Sequence, residues 1–243
     1  MTLWLTRIVP SPSSRDAHRD LGGNDQGIRL HQRMLQMFPD GVEGPARAAF
    51  GVLFRAEETP NGPQILLQSH TTPDPSRLPD AYGNLETRSL EGLLSNLHKG
   101  IVVNYRCVAS PVRKPGAAAR EAYKLPPVVA LSGKAAIEWW ERQSTAAGLE
   151  PLHIDALPLA TVRGPGGSKG STAKQRVQHS RTQFDGTARV LDADLLREKL
   201  AAGIGRGKAY GCGLLTLAPL RQRSKMRDSK DRTAGEAHGS CPP

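Results

Sequence analysis

Two stretches of the sequence carry side chains able to do chemistry. Near the C-terminus, "GIGRGKAYGCGLLTLAPL" (203–220) sets five glycines, Arg206 and Lys208 ahead of an apolar, strand-like run. Glycines without a Cβ let backbone N–H groups approach an anion, and the two cations add charge, so Gly205, Arg206, Gly207 and Lys208 suit a phosphate. The plain alternative is a helix C-cap at Gly203 followed by a tight turn, and the residues leave both open. In the N-terminal third, "LHQRMLQMFPD" (30–40) places His31 beside an amphipathic pattern. An imidazole exchanges protons near neutral pH; equally, His31 is placed to border the apolar face of Leu30, Met34 and Leu35.

The glycine-rich stretch does not read as a nucleotide-cofactor loop. A dinucleotide fingerprint runs strand, GxGxxG, helix, whereas here a helix precedes and a strand follows, and Lys208 stands where the third glycine belongs. A P-loop would require Ser or Thr after Gly207-Lys208, but Ala209 is there, and Ala202 takes the place of its first glycine. The other histidines (His18, His70, His98, His153, His179, His238) show no HxxxH or HxH spacing, and no metal or cofactor is expected. Among the aromatics, Tyr210 inside the glycine-rich stretch is the candidate for stacking on a base, while at least one of Trp139 and Trp140 belongs to a core.

A formal charge of +10 over 243 residues points to a polyanionic partner. Arg15, Arg19, Arg29 and Arg33 gather at and before the helix of His31. Arg113, Lys114, Arg120 and Lys124 form a second group in an alanine- and proline-rich stretch. A third lies in "TVRGPGGSKGSTAKQRVQHSRTQFDG" (161–186), which holds Arg163, Lys169, Lys174, Arg176 and Arg181 against only Asp185. Solvated helix faces or a basic loop would read the same way. No apolar run approaches the roughly 18 residues of a membrane span, and no signal peptide is expected. Three widely spaced cysteines (Cys107, Cys212, Cys241) form no CxxC pair, which fits a reducing cytoplasm.

The elements that must position these residues follow from periodicity. "TLWLTRIV" alternates as a strand, with Leu3, Leu5 and the apolar stem of Arg7 on one side and Trp4 and Ile8 on the other. A polar loop is expected to about Gly27, then a helix over 28–38 stopped by Pro39. "AAFGVLFRAEE" and "PQILLQSH" form a hairpin across "TPNGP". A weaker helix over 89–98 and the strand "GIVVNYRCVASPV" close a β-α-β-β-α-β unit. After a basic linker (113–127), the strand "PVVALSG", a helix from Ser132 to Gly148, two strands around the basic insert, a helix capped by Asp192 and stopped by Gly203, and "CGLLTLAPL" repeat the order. The expected architecture is α+β, two tandem ferredoxin-like domains over 1–112 and 128–220, with a disordered basic tail over 221–243.

The stretch 203–220 resembles the C-terminal glycine-rich signature of the repeat-associated RNA-processing proteins, most closely the CasE-type CRISPR RNA endoribonucleases of type I-E systems. "LHQRMLQMFPD" looks like that family's first helix, "PQILLQSHTTPD" its second hairpin strand and "RCVASPVRK" the last strand of its first domain. The resemblance spans about residues 1–220. It implies tandem ferredoxin-like domains and metal-independent cleavage of precursor CRISPR RNA at the base of the repeat hairpin, by attack of the 2′-hydroxyl on the adjacent phosphate. It assigns His31 to catalysis, with Ile28 where several relatives carry a tyrosine, and assigns the basic insert to the RNA stem. The implied partners are the repeat hairpin and other Cascade subunits, the backbone subunit among them. A non-catalytic RNA-binding subunit of the same fold, or a basic ribosome- or tRNA-associated protein, remains as the alternative.

Overall fold

The computed structural model describes residues 2–165 and 176–220, with backbone alone at 163–165 and 176–177. The first sheet is built by β1 (Trp4–Pro10), β2 (Leu53–Thr59), β3 (Gly62–Ser69) and β4 (Gly83–Ser89), in the antiparallel order β2-β3-β1-β4. β1 buries Thr6 and Ile8 on one face, while Arg7 on the other pairs with Glu86 of β4. The β2–β3 hairpin closes at Thr59 and Gly62, where the Asn-Gly signal places it. Between β1 and β2 run α1 (Arg15–Leu21), α2 (Gln26–Gln36) and the single turn α3 (Ala46–Ala49). The helix α1 lies where a loop is expected from the sequence: the Ser14 hydroxyl accepts from the Ala17 N–H at 3.3 Å, an N-cap hidden in a polar run. Leu30 and Met34 of α2, with Met37 and Phe38 beyond it, fill a core against Ile8, Phe54, Ile65 and Leu67. Burying each such side chain contributes about 1.5–3 kcal/mol.

After β4 come α4 (Glu91–Ser95) and β5 (Val102–Ala109), then β6 (Val112–Arg113), α5 (Ala117–Ala122), β7 (Val129–Ala130), α6 (Gly133–Thr145), β8 (Leu149–Pro165), β9 (Arg176–Val190), α7 (Ala193–Ala202) and β10 (Leu215–Pro219). The second sheet has the order β10-β5-β9-β8, antiparallel throughout, with α6 and α7 as its two crossovers. Each sheet therefore carries the ferredoxin-like strand order. Trp140, stacked on Phe184 at 4.9 Å and donating to the Tyr105 hydroxyl at 3.1 Å, anchors the second core. Asp192 caps α7 by accepting from the N–H groups of Asp194 and Leu195.

Two expectations are corrected. The strand "VVNYRCVA", expected as the last strand of the first unit, is β5, the central first strand of the second sheet. The first sheet is closed instead by β4, over residues Gly83–Ser89, to which the sequence pattern assigns no element. The sheet boundary thus falls between β4 and β5, not at 112. Residues 113–127, expected as an interdomain linker, lie inside the second unit between β5 and α6, and "PVVALSG" supplies only the two residues of β7, paired with β6. Pro127 at its head and Pro126 before it offer no N–H to a ladder, whereas β5 pairs along its whole length on one side. The tail 221–243 lies outside the described residues, as do Lys169 and Lys174. No described helix is long and apolar enough to cross a membrane.

The two units meet through a buried arginine. Arg55 of β2 is 2% exposed. Its Nη1 donates to the carbonyls of Leu214 (2.9 Å) and Arg106 (3.1 Å), its Nη2 to Thr216 Oγ1 (2.9 Å) and its Nε to Glu57 (2.6 Å). Gln68 of β3 adds a bond to the Leu200 carbonyl of α7 at 2.7 Å.

Candidate functional site

The joint between the units is where the two chemistry-bearing stretches meet. Downstream of α7 the chain turns at Gly203, which caps the helix through its N–H to the Lys199 carbonyl. It then folds residues 204–213 back toward the first unit. Lys208–Tyr210 form one 3₁₀ turn bracketed by Gly207 (φ +78°) and Gly211 (φ +76°), both in the left-handed region that favours glycine. A Cβ on Gly211 would stand 3.3 Å from the Phe54 ring, and one on Gly207 would stand 3.3 Å from His179 Nδ1. On the other side of the turn, the backbone of Tyr210 lies against Gly27 of α2, one helical turn before His31. Gly203 is a C-cap, as one of the two sequence readings has it, and the loop beyond it forms a cationic surface.

That surface is a shallow recess of about 430 Å³ lined by Arg47, His179, Gly205, Arg206, Gly207, Lys208, Ala209 and Tyr210. Among the described residues, no carboxylate lines it. Burial and the nearby Arg47 and Lys199 cations lower the Lys208 ammonium from its usual value. An anion placed there would relieve the repulsion that Arg47 and Lys199 exert on the Lys208 ammonium.

His31 sits at the edge of this joint. Its ring is stacked on Phe54 (centroids 6.3 Å apart, 22° between planes), and its Nδ1 is buried without a hydrogen-bond partner among the described residues. Burial, and secondarily Arg47, lower its pKa from the ordinary histidine value. At neutral pH the imidazole is therefore neutral and able to accept a proton. Arg47, on α3, links the two stretches: it lines the recess and acts on His31.

The remaining sequence candidates divide. Arg206 and Lys208 are in the recess with Gly205 and Gly207. Arg15 is exposed at the start of α1. Arg29 donates to the Gly22 carbonyl. Arg33 is taken up inside the first unit, its Nε 2.6 Å from Asp20 and its guanidinium over the Tyr82 ring, so its charge is committed there. Arg113, Lys114 and Lys124 are exposed on the insert between β5 and α6 and do not line the recess. Arg181 is half-buried and donates to the Ala160 carbonyl at 2.9 Å, bracing the β8–β9 hairpin. Arg163 and Arg176 lie in the paired strands toward the hairpin's far end.

Sequence reasoning misses Arg47 and His179. Arg47 sits in an alanine-rich turn with no local pattern, and His179 is one of the histidines without a partner at a recognisable spacing. The signal that finds them is spatial.

Two ferredoxin-like sheets, with a cationic recess lined by residues of both units, define a double ferredoxin-like protein. The sheets and the glycine-rich loop agree with the resemblance drawn from the sequence. The chain belongs to the CRISPR associated protein family, whose model matches residues 3–219. It is similar to the CRISPR-associated endoribonuclease Cse3 of Thermus thermophilus, 28% identical over 229 residues that cover 89% of this chain and 100% of the relative. It is also similar to the CRISPR system Cascade subunit CasE of Escherichia coli, 28% identical over 226 residues covering 90% and 100% of the two chains. The solved structure of Thermus thermophilus Cse3 bound to an RNA representing a pre-cleavage complex superimposes with a TM-score of 0.71 at 25% identity, covering 90% of this chain and 100% of that one.

Proposed function

We propose that this chain is an endoribonuclease that cuts precursor CRISPR RNA at the base of each repeat hairpin and stays on the product as a subunit of a Cascade complex, in the cytoplasm. The observation that carries the reading is His31: a neutral, half-buried imidazole whose Nδ1 has no partner among the described residues, held by α2 near Arg47, a cation of the recess. The names of the relatives point the same way.

In this mechanism the nucleophile belongs to the RNA. The 2′-oxygen attacks the adjacent phosphorus, the P–O5′ bond breaks, and a 2′,3′-cyclic phosphate (or 3′-phosphate) and a 5′-hydroxyl result. The protein supplies proton transfer by His31 and charge stabilisation by Arg47, Arg206 and Lys208 as the phosphorane gathers negative charge. Those fixed cations take the electrostatic role that a metal ion fills in other nucleases. Cleavage of a repeat-hairpin RNA is accordingly expected to run at the same rate in excess EDTA, and to stop when a 2′-deoxy nucleotide replaces the one 5′ of the cut. A large loss of rate in EDTA, or cleavage of every 2′-deoxy substrate, overturns this chemistry.

The recess also makes a binding prediction. Arg206→Ala and Lys208→Ala should each weaken hairpin binding and reduce the slope of log K against log salt by about one unit for every phosphate the missing cation had neutralised. Salt titrations with slopes equal to wild type would remove these residues from the RNA surface.

A further inference from the structure

We propose that His179 is the second proton-transfer group of the site, taking the proton from the attacking 2′-hydroxyl while His31 delivers one to the departing 5′-oxygen. The inference rests on the endoribonuclease reading above. Forming the O2′–P bond releases a proton from O2′, and breaking the P–O5′ bond requires one at O5′. In-line displacement puts these oxygens on opposite sides of phosphorus, so two groups on two sides serve better than one.

The fold supplies such a pair. His179 stands on β9 opposite Val162 of β8, and lines the recess together with Arg47, Arg206, Lys208 and Tyr210. Its ring lies 4.6 Å from the Tyr210 ring at 38°, and its Nδ1 rests where a side chain at 207 would be, so Gly207 gives it room. Tyr210 in turn has its backbone against α2 one turn before His31. One imidazole thus packs on the Tyr210 ring, and the other lies one helical turn beyond the point where α2 meets the Tyr210 backbone, one from each ferredoxin-like unit.

Both imidazoles are buried beside a cation. Among the described residues, the charged and titratable groups around His179 are Arg206, Arg47, Lys208, the Tyr210 phenol and, across Gly207, the Cys212 thiol. Three of these are cations and none is a carboxylate. Burial, then Arg206, keep this imidazole in its neutral, proton-accepting form. On His31 the acting cation is Arg47. A scissile phosphate in the recess offsets Arg47 and Arg206 alike; His179, which lines the recess, is assigned to the 2′-oxygen, and His31, which does not, to the 5′-oxygen.

The test is single-turnover cleavage of a saturating repeat-hairpin RNA by the full chain from about pH 5 to 9, with His179→Ala and His179→Gln, and with His31→Ala for comparison. Both His179 variants should lose about 10²- to 10⁴-fold in rate at neutral pH. They should bind an uncleavable 2′-deoxy hairpin as wild type does, and lose the limb of the pH profile that rises with pH. A substrate with sulfur in place of the scissile O5′, a leaving group that needs no proton, should restore His31→Ala and leave the His179 variants slow. Wild-type rates in both His179 variants, a rising limb that survives, or rescue of the His179 variants by the sulfur substrate would each overturn the assignment. Failure of the wild-type chain to cut any repeat hairpin is a different result: it removes the endoribonuclease reading, and the pairing of histidines with it.

Discussion

His31→Ala is expected to slow cleavage of a repeat-hairpin RNA by about 10²- to 10⁴-fold while leaving the dissociation constant for the same hairpin within about twofold of wild type. Catalysis and binding separate here because they use different atoms. Hairpin affinity comes from cations that meet the phosphate backbone, and Arg206 and Lys208 remain after the substitution. What is lost is the proton exchange. With Nδ1 buried and unpartnered, Nε2 is the nitrogen left to exchange with substrate. The ring also stacks on Phe54, so truncation leaves a gap beside the core of the first unit, and His31→Gln serves as the variant that fills more of it. Thermal melts that superimpose on wild type, together with a cleavage defect in both variants, place the effect in chemistry. A cleavage rate unchanged in His31→Ala removes His31 from the mechanism.

Arg55→Ala should produce the largest loss of stability. Its guanidinium is 2% exposed and makes four hydrogen bonds, three of them to groups of the second unit. Removing it takes a donor from the Leu214 carbonyl, leaves the Arg106 carbonyl with the Thr216 hydroxyl, and leaves Glu57, 6% exposed, with Gln64 and the more distant Arg106 as its partners. Breaking a buried pair from one side costs about 3–5 kcal/mol, because the surviving charge stays buried. For a chain of this size that is a fall in Tm on the order of 10 °C, measured by calorimetry. Cleavage should fall as well, since His31 and Arg47 belong to one unit and the glycine-rich loop and His179 to the other. Arg55→Lys keeps the charge without the fork and should fall between the two. A Tm within about 2 °C of wild type in Arg55→Ala would show that the joint does not depend on this residue.

Much of this architecture is legible residue by residue. The helix over 28–38, the Asn-Gly hairpin, the Asp192 cap and the Gly203 stop are local events, decided by neighbours within about four positions, and each stands within two residues of where the sequence puts it. The alternation of strands and helices, the basic charge and the inverted helix–loop–strand order around Gly205 and Gly207 are likewise properties of the linear chain. Together they point to two ferredoxin-like units and away from a nucleotide-cofactor loop.

What the chain alone leaves open is every choice that pairs distant segments. The alternation in "VVNYRCVA" suits either sheet equally; only the packing of Tyr105 and Cys107 into the second core, and the ladders to β9 and β10, place β5 there. Arg33 and Arg206 carry the same charge, yet one is neutralised by Asp20 and the other faces an open recess, because the first lies beside α1 and the second on a loop that no described acidic segment reaches. Arg47 and His179, 132 positions apart in the chain, line one recess. Periodicity is a property of near neighbours and survives in the sequence; the convergence of charges on a site depends on which surfaces pack, and that is decided only when the two units close on Arg55.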